Sequence, residues 1–307
     1  MSKTESNILL FSITLCWAAS YIFIKNLPEN FSSYAYLALT TGIAAVIMAA
    51  IFWKQLKEAA KSTWLKGLLL SLILSFNLLA EKKGIQYMEA AEASFLSALT
   101  IIIVPLLLFL FHKKPTKNQL LGAGMILIGL CISSGMHVEK LCNAGAFYML
   151  AGCFGSAVYT IAVDRYAKEE HPLLLCMIQM LFTAMTGFLI WFVKDPSAVS
   201  KIVITKELLS NIFVLAFFAK AYAYIVLMYA QKYTDAVSVT VIASTEPVIT
   251  LLLAALLPAA YGGNRRINGS SVAGAVIIML GAAVAGLRFL EDNGRRRKSD
   301  AKTVGSR

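Results

Sequence analysis

The chain has 307 residues, of which 58% are hydrophobic and only 15% are charged. Its mean hydropathy of +0.70 excludes an ordinary soluble globular protein, because such proteins carry about 25% charged residues. The net charge of +11 would indicate nucleic-acid binding in a soluble protein. In a chain this apolar, membrane orientation is the better explanation. The composition therefore predicts an integral membrane protein.

Ten windows of the sequence are apolar and long enough to cross a bilayer as helices, which takes about 20 residues. They cover approximately residues 8–26, 33–53, 65–87, 91–111, 118–136, 143–163, 171–193, 208–230, 236–258 and 270–290. Nine windows follow the first, so we interpret the first as a retained span and not as a cleaved secretion signal. The connectors are short and leave no room for a separate soluble domain. The predicted fold class is an all-α integral membrane protein with ten transmembrane helices.

Basic residues are distributed unevenly between alternate connectors. If the N-terminus (1–7) is cytoplasmic, the inner side collects Lys54, Lys57, Lys61 and Lys66, and it also receives a basic tail at 291–307. Cytoplasmic loops of membrane proteins carry an excess of Lys and Arg. The sequence therefore predicts a multi-pass protein with both termini in the cytoplasm and its tail near anionic lipid.

The two halves of the chain resemble each other when they are laid about 146 to 152 residues apart. The stretch GIQYMEAAEASFLSALTIIIVPLLLFLF corresponds to YAQKYTDAVSVTVIASTEPVITLLLAALL, and Gly122 and Gly129 fall on Gly274 and Gly281. A repeat of five spans is odd-numbered, so the second copy enters the membrane upside down, which is an architecture typical of transporters. We predict two inverted five-helix repeats, at residues 8–136 and 143–290, joined by a connector at 137–142.

A proline interrupts the fourth and the ninth window at related positions, Pro105 and Pro247. Proline removes a backbone donor inside a helix, and paired interruptions in the two halves of a transporter indicate a central binding site. Taken singly, either proline is equally well explained as a packing kink. We predict a helix break at both.

Lys220 lies near the middle of the eighth window, and Glu246 near the middle of the ninth. A charged side chain at that depth costs roughly 2.5–3.5 kcal/mol on insertion scales. Two explanations remain open. Either the two side chains form a structural salt bridge, or they face a cavity where they contact substrate or carry a proton.

Aromatic side chains accompany the lysine. On an ideal wheel of about 100° per residue, Phe217, Lys220 and Tyr224 share one face. Such a face suits an amphipathic substrate, because the rings provide apolar area and cation–π contact while the ammonium pairs with a carboxylate or phosphate. Trp17 and Tyr21, one turn apart on the first span, are further candidates.

Other polar residues have two interpretations. Gln179 on the seventh span is a candidate for substrate contact, but interhelical hydrogen bonding explains it equally well. Glu81, Lys82 and Lys83 lie towards the outer end of the third span. They either form an outer vestibule or extend to the interface along the helix, and we favour the second interpretation.

Motifs for catalysis or metal binding are missing from the sequence. The cysteines form no CxxC pair, and their positions are typical of small packing residues: Cys16, Cys131, Cys142, Cys153 and Cys176. There is no HExxH and no glycine-rich phosphate loop. The sequence predicts no metal, no cofactor and no enzymatic activity.

Three segments carry a family resemblance: CWAASYIFIK in the first span, EAAEASFLSALTIIIVPLL in the fourth and STEPVITLLLAAL in the ninth. With ten windows in two repeats, the chain resembles the EamA branch of the drug/metabolite transporter superfamily over residues 8–290. The resemblance covers the Glu-Pro pair at Glu246 and Pro247 and the first-span Trp17. It departs in the second span, where members often have an arginine and this chain has Thr40 and Thr41. The resemblance implies a transporter of the bacterial inner membrane, often an exporter, that works without ATP.

The sequence as a whole predicts a secondary transporter, working as an exporter, for a small amphipathic metabolite, amino acid or drug. Alternating access would occur at a midplane site between the repeats. The alternative is a membrane protein that does not transport by alternating access, such as a scaffold or a small channel. The expected partners are a small-molecule substrate and membrane lipid, with no nucleic acid, while proton coupling and a homodimer stay open.

Overall fold

The computed structural model describes residues 3–110, 117–133, 143–196, 202–257 and 268–285. The predicted connector at 137–142, with Cys142, and the basic tail at 291–307 lie outside these ranges. The described residues form helices and contain no β-strand. The predicted all-α multi-pass architecture is therefore confirmed.

Ten helical segments follow one another along the described part of the chain. They are α1 (Lys3–Lys25), α2 (Ser33–Leu56), α3 (Lys61–Gln86), α4 (Ala90–Leu110), α5 (Lys117–Ser133), α6 (Ala144–Glu169), α7 (Pro172–Lys194), α8 (Lys206–Gln231), α9 (Ala236–Leu256) and α10 (Gly269–Ala285). Eight of them are long and apolar enough to span a membrane, whereas α5 and α10 contain shorter apolar helices. A total of ten spans therefore stays a prediction that depends on α5 and α10.

Side-chain caps explain where several helices begin. Five side chains at helix starts accept a hydrogen bond from a backbone N–H three residues later: Ser32, Asn143, Thr205, Asp235 and Asn268. Glu89 and Glu92 form a capping box at the start of α4. These short polar caps end the connectors and fix the depth at which the apolar helices begin.

The fourth and ninth helices are both interrupted. In α4 the helix stops at Ser97 and restarts at Thr100, and in α9 it stops at Ala243 and restarts at Glu246. Both interruptions therefore lie at the same place in their helices, 146 residues apart.

The two prolines have different relationships to these interruptions. Pro247 lies in the first turn after the break in α9, where its missing N–H is not needed. Pro105 instead lies inside a continuous helical segment, so the break expected there occurs upstream, at Ala98 and Leu99. This half of α4 packs against α6, and protein packing of this kind tolerates the loss of one backbone bond.

The helices pack in a symmetric pattern. The most extensive contacts join α2 to α7 and α3 to α6, while α1 contacts α8 and α9, and α6 contacts α3 and α4. If each helix is replaced by its counterpart five helices along the chain, the same set of contacts results. A two-fold relationship between the halves would produce this pattern.

Glycines bring α5 and α10 into backbone contact. A methyl group at Gly129 would lie 2.7 Å from the carbonyl oxygen of Gly274, and one at Gly281 would lie 2.8 Å from that of Gly122. Small residues let membrane helices approach closely in this way. The two pairs contain the four glycines that the sequence comparison aligned between the halves.

The outer surface of the bundle is apolar. Large hydrophobic side chains point outward along its length, including Leu110, Leu189, Phe192 and Leu256, the last being 79% exposed. A soluble protein does not expose this much contiguous apolar surface. Lipid chains are the environment that such a surface requires.

Candidate functional site: a polar cavity between the halves

A cavity lies between α1, α3, α4, α6, α8 and α9. It encloses about 890 Å³ of space between protein atoms, part of it open to solvent. Ala98 and Thr100 at the break in α4 line it, as do Ala243 and Ser244 at the break in α9. Both helix interruptions therefore open onto the same space.

Lys220 lines this cavity from a π-helical segment of α8, Leu215–Tyr222. Its side chain is 3% exposed. The ammonium nitrogen lies 5.4 Å from the ring centre of Tyr36 and 5.7 Å from that of Tyr224. These distances allow cation–π attraction, which offsets part of the cost of burying the charge.

The salt bridge considered between Lys220 and Glu246 is not formed. Among the described residues, no carboxylate oxygen lies within 4.0 Å of the Lys220 nitrogen. The two side chains enter the cavity from different sides, because Lys220 belongs to the part of α8 that packs against α2, whereas the half of α9 that begins with Glu246 packs against α1 and α4. The structural interpretation of the pair is therefore wrong.

Glu81 on α3 is the acidic residue whose charge acts on Lys220. It lines the cavity, is partly exposed and lies beside Tyr21. The expectation that Glu81 and Lys82 extend to the membrane interface is wrong, because Glu81 lines the cavity and Lys82 is buried, at 2% exposure. The sign of this arrangement in the sequence is the spacing of two polar residues, because Asn77 and Glu81 are one turn apart. In the structure both line the cavity.

Glu246 lines the opposite part of the cavity and is 7% exposed. It begins the helix that follows the break in α9, where the helix dipole favours a carboxylate. Ser97, the last residue before the break in α4, lies close enough to interact with the Glu246 carboxylate. Tyr21 interacts with both Glu246 and Glu81, so the two carboxylates and this tyrosine belong to one group of side chains.

Aromatic rings form an apolar wall beside these charges. The ring centre of Tyr224 lies 5.9 Å from that of Trp17 and 5.8 Å from that of Tyr159, both in edge-on contact. Trp17, Tyr21 and Tyr224 were expected at the site and do line the cavity. Tyr159 also lines it and was not found from the sequence.

Two expected site residues lie elsewhere. Gln179 is fully buried behind Tyr159, whose hydroxyl donates to its Oε1 at 3.0 Å and accepts from its Nε2 at 2.8 Å. Phe217 is 36% exposed on the outside of the bundle, where its ring contacts Phe213 and Phe218. The π-helical segment changes the rotation per residue around Lys220, so a wheel drawn for a regular helix misplaces Phe217.

Cys153 has a structural role at the break in α4. Its thiol donates to the carbonyl oxygen of Leu96 at 3.2 Å and lies 3.8 Å from that of Ser97. Carbonyls next to a helix interruption lose their helical partners and need others inside a membrane. In the described part of the chain, no three His, Cys, Asp or Glu side chains are grouped as a metal site requires.

A second polar cluster joins the start of α3 to the end of α6, away from the cavity. Lys66 lies 2.6 Å from Glu170 and 2.9 Å from Glu169, and Thr63 donates to Glu170 at 2.6 Å. Burial raises the pKa of the Glu170 carboxyl, but hydrogen bonds from Lys66, Thr63 and Ser62 outweigh it, so this pKa lies below its usual value.

The fold and the cavity together define a multi-pass helical membrane protein with one polar, aromatic-lined site between two similar halves. The model of the EamA-like transporter family matches the chain twice, at residues 5–135 and 143–287. The chain therefore belongs to the EamA-like transporter family, and the resemblance seen in its sequence is confirmed.

Two relatives in the archaeon Archaeoglobus fulgidus are described as uncharacterized transporters. One is 27% identical over 91% of this chain and 96% of its own, and the other is 23% identical over 94% and 88%. A crystal structure of a protein that is 20% identical superposes with a TM-score of 0.71 over 94% of this chain and 100% of that one. At this identity the likeness shows the fold alone.

Proposed function

We propose that the protein is a secondary transporter that carries a small amphipathic metabolite, amino acid or drug across the membrane, with export as its working direction. The substrate binds in the central cavity, and the two halves alternate between an inward-open and an outward-open arrangement. Both termini lie in the cytoplasm, and the ten helices form two inverted five-helix repeats.

One observation carries this proposal: two interrupted helices, related by 146 residues, open onto one cavity that holds three ionisable side chains. Helix interruptions at corresponding places in two repeats are typical of transporter binding sites. Ionisable groups at membrane depth are expensive and are usually retained for function. Lys220, Glu81 and Glu246 are the groups concerned.

Each lining residue has a chemical role in the proposal. Lys220 attracts an anionic group of the substrate, and Trp17, Tyr21 and Tyr224 contact its apolar part. Glu246, at the start of a helix and beside Ser97, contacts the polar part of the substrate. Apolar and polar groups thus meet on opposite sides of the bound molecule.

The symmetric packing supports alternating access. The main contacts of α1 to α4 have counterparts among α6 to α9, and α5 meets α10 through two exchanged glycine pairs. Two inverted copies exchange conformations to give two states of similar energy, and alternating access requires this. A channel would instead need a continuous polar path through both leaflets.

The test is counterflow in proteoliposomes. A panel of labelled metabolites is offered to vesicles loaded with each unlabelled compound, and accumulation is compared for the native protein, Lys220→Met and the exposed control Lys54→Met. We expect trans-stimulated uptake of at least one compound by the native protein and the control, and its loss in Lys220→Met.

Two outcomes would contradict the proposal. Uptake that never saturates and is not stimulated by substrate on the far side would indicate a pore. Normal counterflow by Lys220→Met, with the protein folded by circular dichroism and gel filtration, would remove the lysine from the substrate site.

A further inference from the structure

Resting on this proposed function, we infer that Glu81 is an exchangeable counter-ion of Lys220, so that one anionic substrate is carried together with one proton. From the sequence alone, Glu246 is a candidate proton carrier and Glu81 is expected at the membrane interface. The geometry of the cavity points instead to Glu81.

The first step is that the Lys220 ammonium has no acceptor of its own among the described residues. Its side chain is 97% buried and lines the cavity, yet no acceptor in the described part of the chain is within hydrogen-bond distance of the ammonium. The carboxylate of Glu81 lines the same cavity, interacts with Lys220 and lies more than 4.0 Å from its nitrogen. An anionic group of a substrate can therefore approach the ammonium more closely than Glu81 does.

The second step is electrostatic. In the ligand-free cavity the charges of Lys220 and Glu81 offset each other across the gap. A substrate anion beside Lys220 adds a second negative charge next to Glu81 in a region of low dielectric, where like charges are costly. Protonation of Glu81 removes that cost and restores the original net charge of the site.

The balance of charge and atoms follows directly. A proton from water on the loading side bonds to a carboxylate oxygen of Glu81 as the anion binds Lys220. After the conformational change, the anion leaves and the proton returns to water on the other side. Each cycle moves one monovalent anion and one proton in the same direction, with no net charge.

Several titratable groups face Glu81, and they must be considered with it. They are Tyr21 of α1, Tyr36 of α2, Cys153 of α6, Lys220 and Tyr224 of α8, and Glu246 of α9. Lys220 is the only cation in this described set. Glu81 is the carboxylate that interacts with Lys220, whereas Glu246 begins the half of α9 that packs against α1 and α4. We therefore expect an anion at Lys220 to be sensed first at Glu81.

The first experiment needs no ligand. Infrared spectra of the protein in liposomes at neutral pH report protonated carboxyl groups. Lys220→Met deprives Glu81 of its counter-charge, so we expect one additional protonated-carboxyl band, and we expect this band to be absent from the double variant Lys220→Met, Glu81→Gln. Equal bands in the native protein and Lys220→Met would overturn the inference.

The second experiment uses proteoliposomes that contain a pH dye, with benzenesulfonate and 4-toluenesulfonate as probes, because a sulfonate keeps its charge at every pH tested. We expect uptake of one proton per sulfonate, insensitive to a potassium–valinomycin potential. Glu81→Gln should still move sulfonate, but the proton count should fall to zero and the rate should depend on voltage.

Each remaining outcome has a defined meaning. Proton-free uptake by the native protein, or unchanged proton coupling in Glu81→Gln, would overturn the inference. Counterflow of a cationic or neutral metabolite without any sulfonate transport would also overturn it, but would leave the proposed transporter function intact. The absence of counterflow for every compound would contradict that function itself.

Discussion

The ammonium nitrogen of Lys220 lies 5.4 Å from the ring centre of Tyr36, whose own hydroxyl is buried without a hydrogen-bond partner. Tyr36 therefore contacts Lys220 through the face of its ring and not through its hydroxyl group. Tyr36 belongs to α2 and Lys220 to the π-helical part of α8, so this contact also ties two spans together. It explains how a lysine is tolerated in this position without an ion pair at contact distance.

Removing the Tyr36 hydroxyl should cost little, and removing its ring should cost more. Tyr36→Phe keeps the π surface and removes a buried unpaired polar atom, so we expect an unchanged or slightly higher melting temperature. Tyr36→Leu loses the cation–π contact, worth about 0.5–2 kcal/mol, and should lower the melting temperature in detergent. A larger loss from Tyr36→Phe than from Tyr36→Leu would show that the hydroxyl has a partner.

The thiol of Cys153 should matter for the break in α4. Cys153→Ala leaves the Leu96 carbonyl without this donor, and we expect destabilisation on the order of 1 kcal/mol. Cys153→Ser retains a donor and should be closer to the native protein. Thermal unfolding of the three proteins checks this order, and equal melting temperatures for the serine and alanine variants would contradict it.

Contact between α5 and α10 should be sensitive to single methyl groups. In Gly129→Ala the new methyl would meet the Gly274 carbonyl, and overpacking of this kind costs about 1–3 kcal/mol. Gly124→Ala, on the same helix with nothing within 4 Å of the new atom, is the matched control and should be neutral or stabilising. Equal effects of the two substitutions on the melting temperature would show that α5 and α10 do not meet at these glycines.

The cluster at Glu170 should give a pH-dependent contribution to stability. Because its folded-state pKa is below the unfolded value of about 4.3, the unfolded chain binds more protons in that range, and the stabilisation is present above about pH 4.3. It is lost as pH falls through the folded-state pKa. The melting-temperature difference between the native protein and Glu170→Gln should therefore be largest near pH 7 and shrink on acidification.

The control for this experiment is Glu58→Gln, at an exposed position outside the cluster. It should show no comparable pH-dependent difference from the native protein. A difference for Glu170→Gln that stays constant between pH 3 and pH 7 would mean that the carboxylate charge of Glu170 does not stabilise the fold.

Much of the architecture could be predicted because it depends on composition and period. A bilayer requires long apolar helices. Eight of the ten windows contain such a helix, and the other two contain shorter apolar helices. The depth of Lys220, Glu246, Trp17, Tyr21 and Tyr224 follows from counting along such helices. All five line the cavity.

What could not be predicted depends on local departures from a regular helix. The π-helical segment around Lys220 places Phe217 on the outside of the bundle. A helical wheel assumes a regular α-helix and does not anticipate such a segment. The break in α4 was expected at Pro105 because proline indicates a helix interruption in a sequence. No comparable residue indicates the break at Ala98. Glu81 was assigned to the interface because two lysines follow it, and only the packing of α3 shows which side it faces.

The most direct test of the central claim is accessibility of the cavity from both sides of the membrane. Ser156 lines the cavity from α6, and so does Cys153. Ser156→Cys is therefore introduced into protein in which Cys16, Cys131, Cys142 and Cys153 are replaced, the last by serine. The variant is labelled in oriented vesicles by a membrane-impermeant thiol reagent applied to one side at a time. We predict that the introduced cysteine is labelled from either side of the membrane. Labelling should become slower when a transported compound is present. It should also become slower under conditions that keep the cavity open to the side opposite the reagent. Labelling from one side only under all conditions, or no protection by any transported compound, would contradict a substrate site that alternates between the two faces.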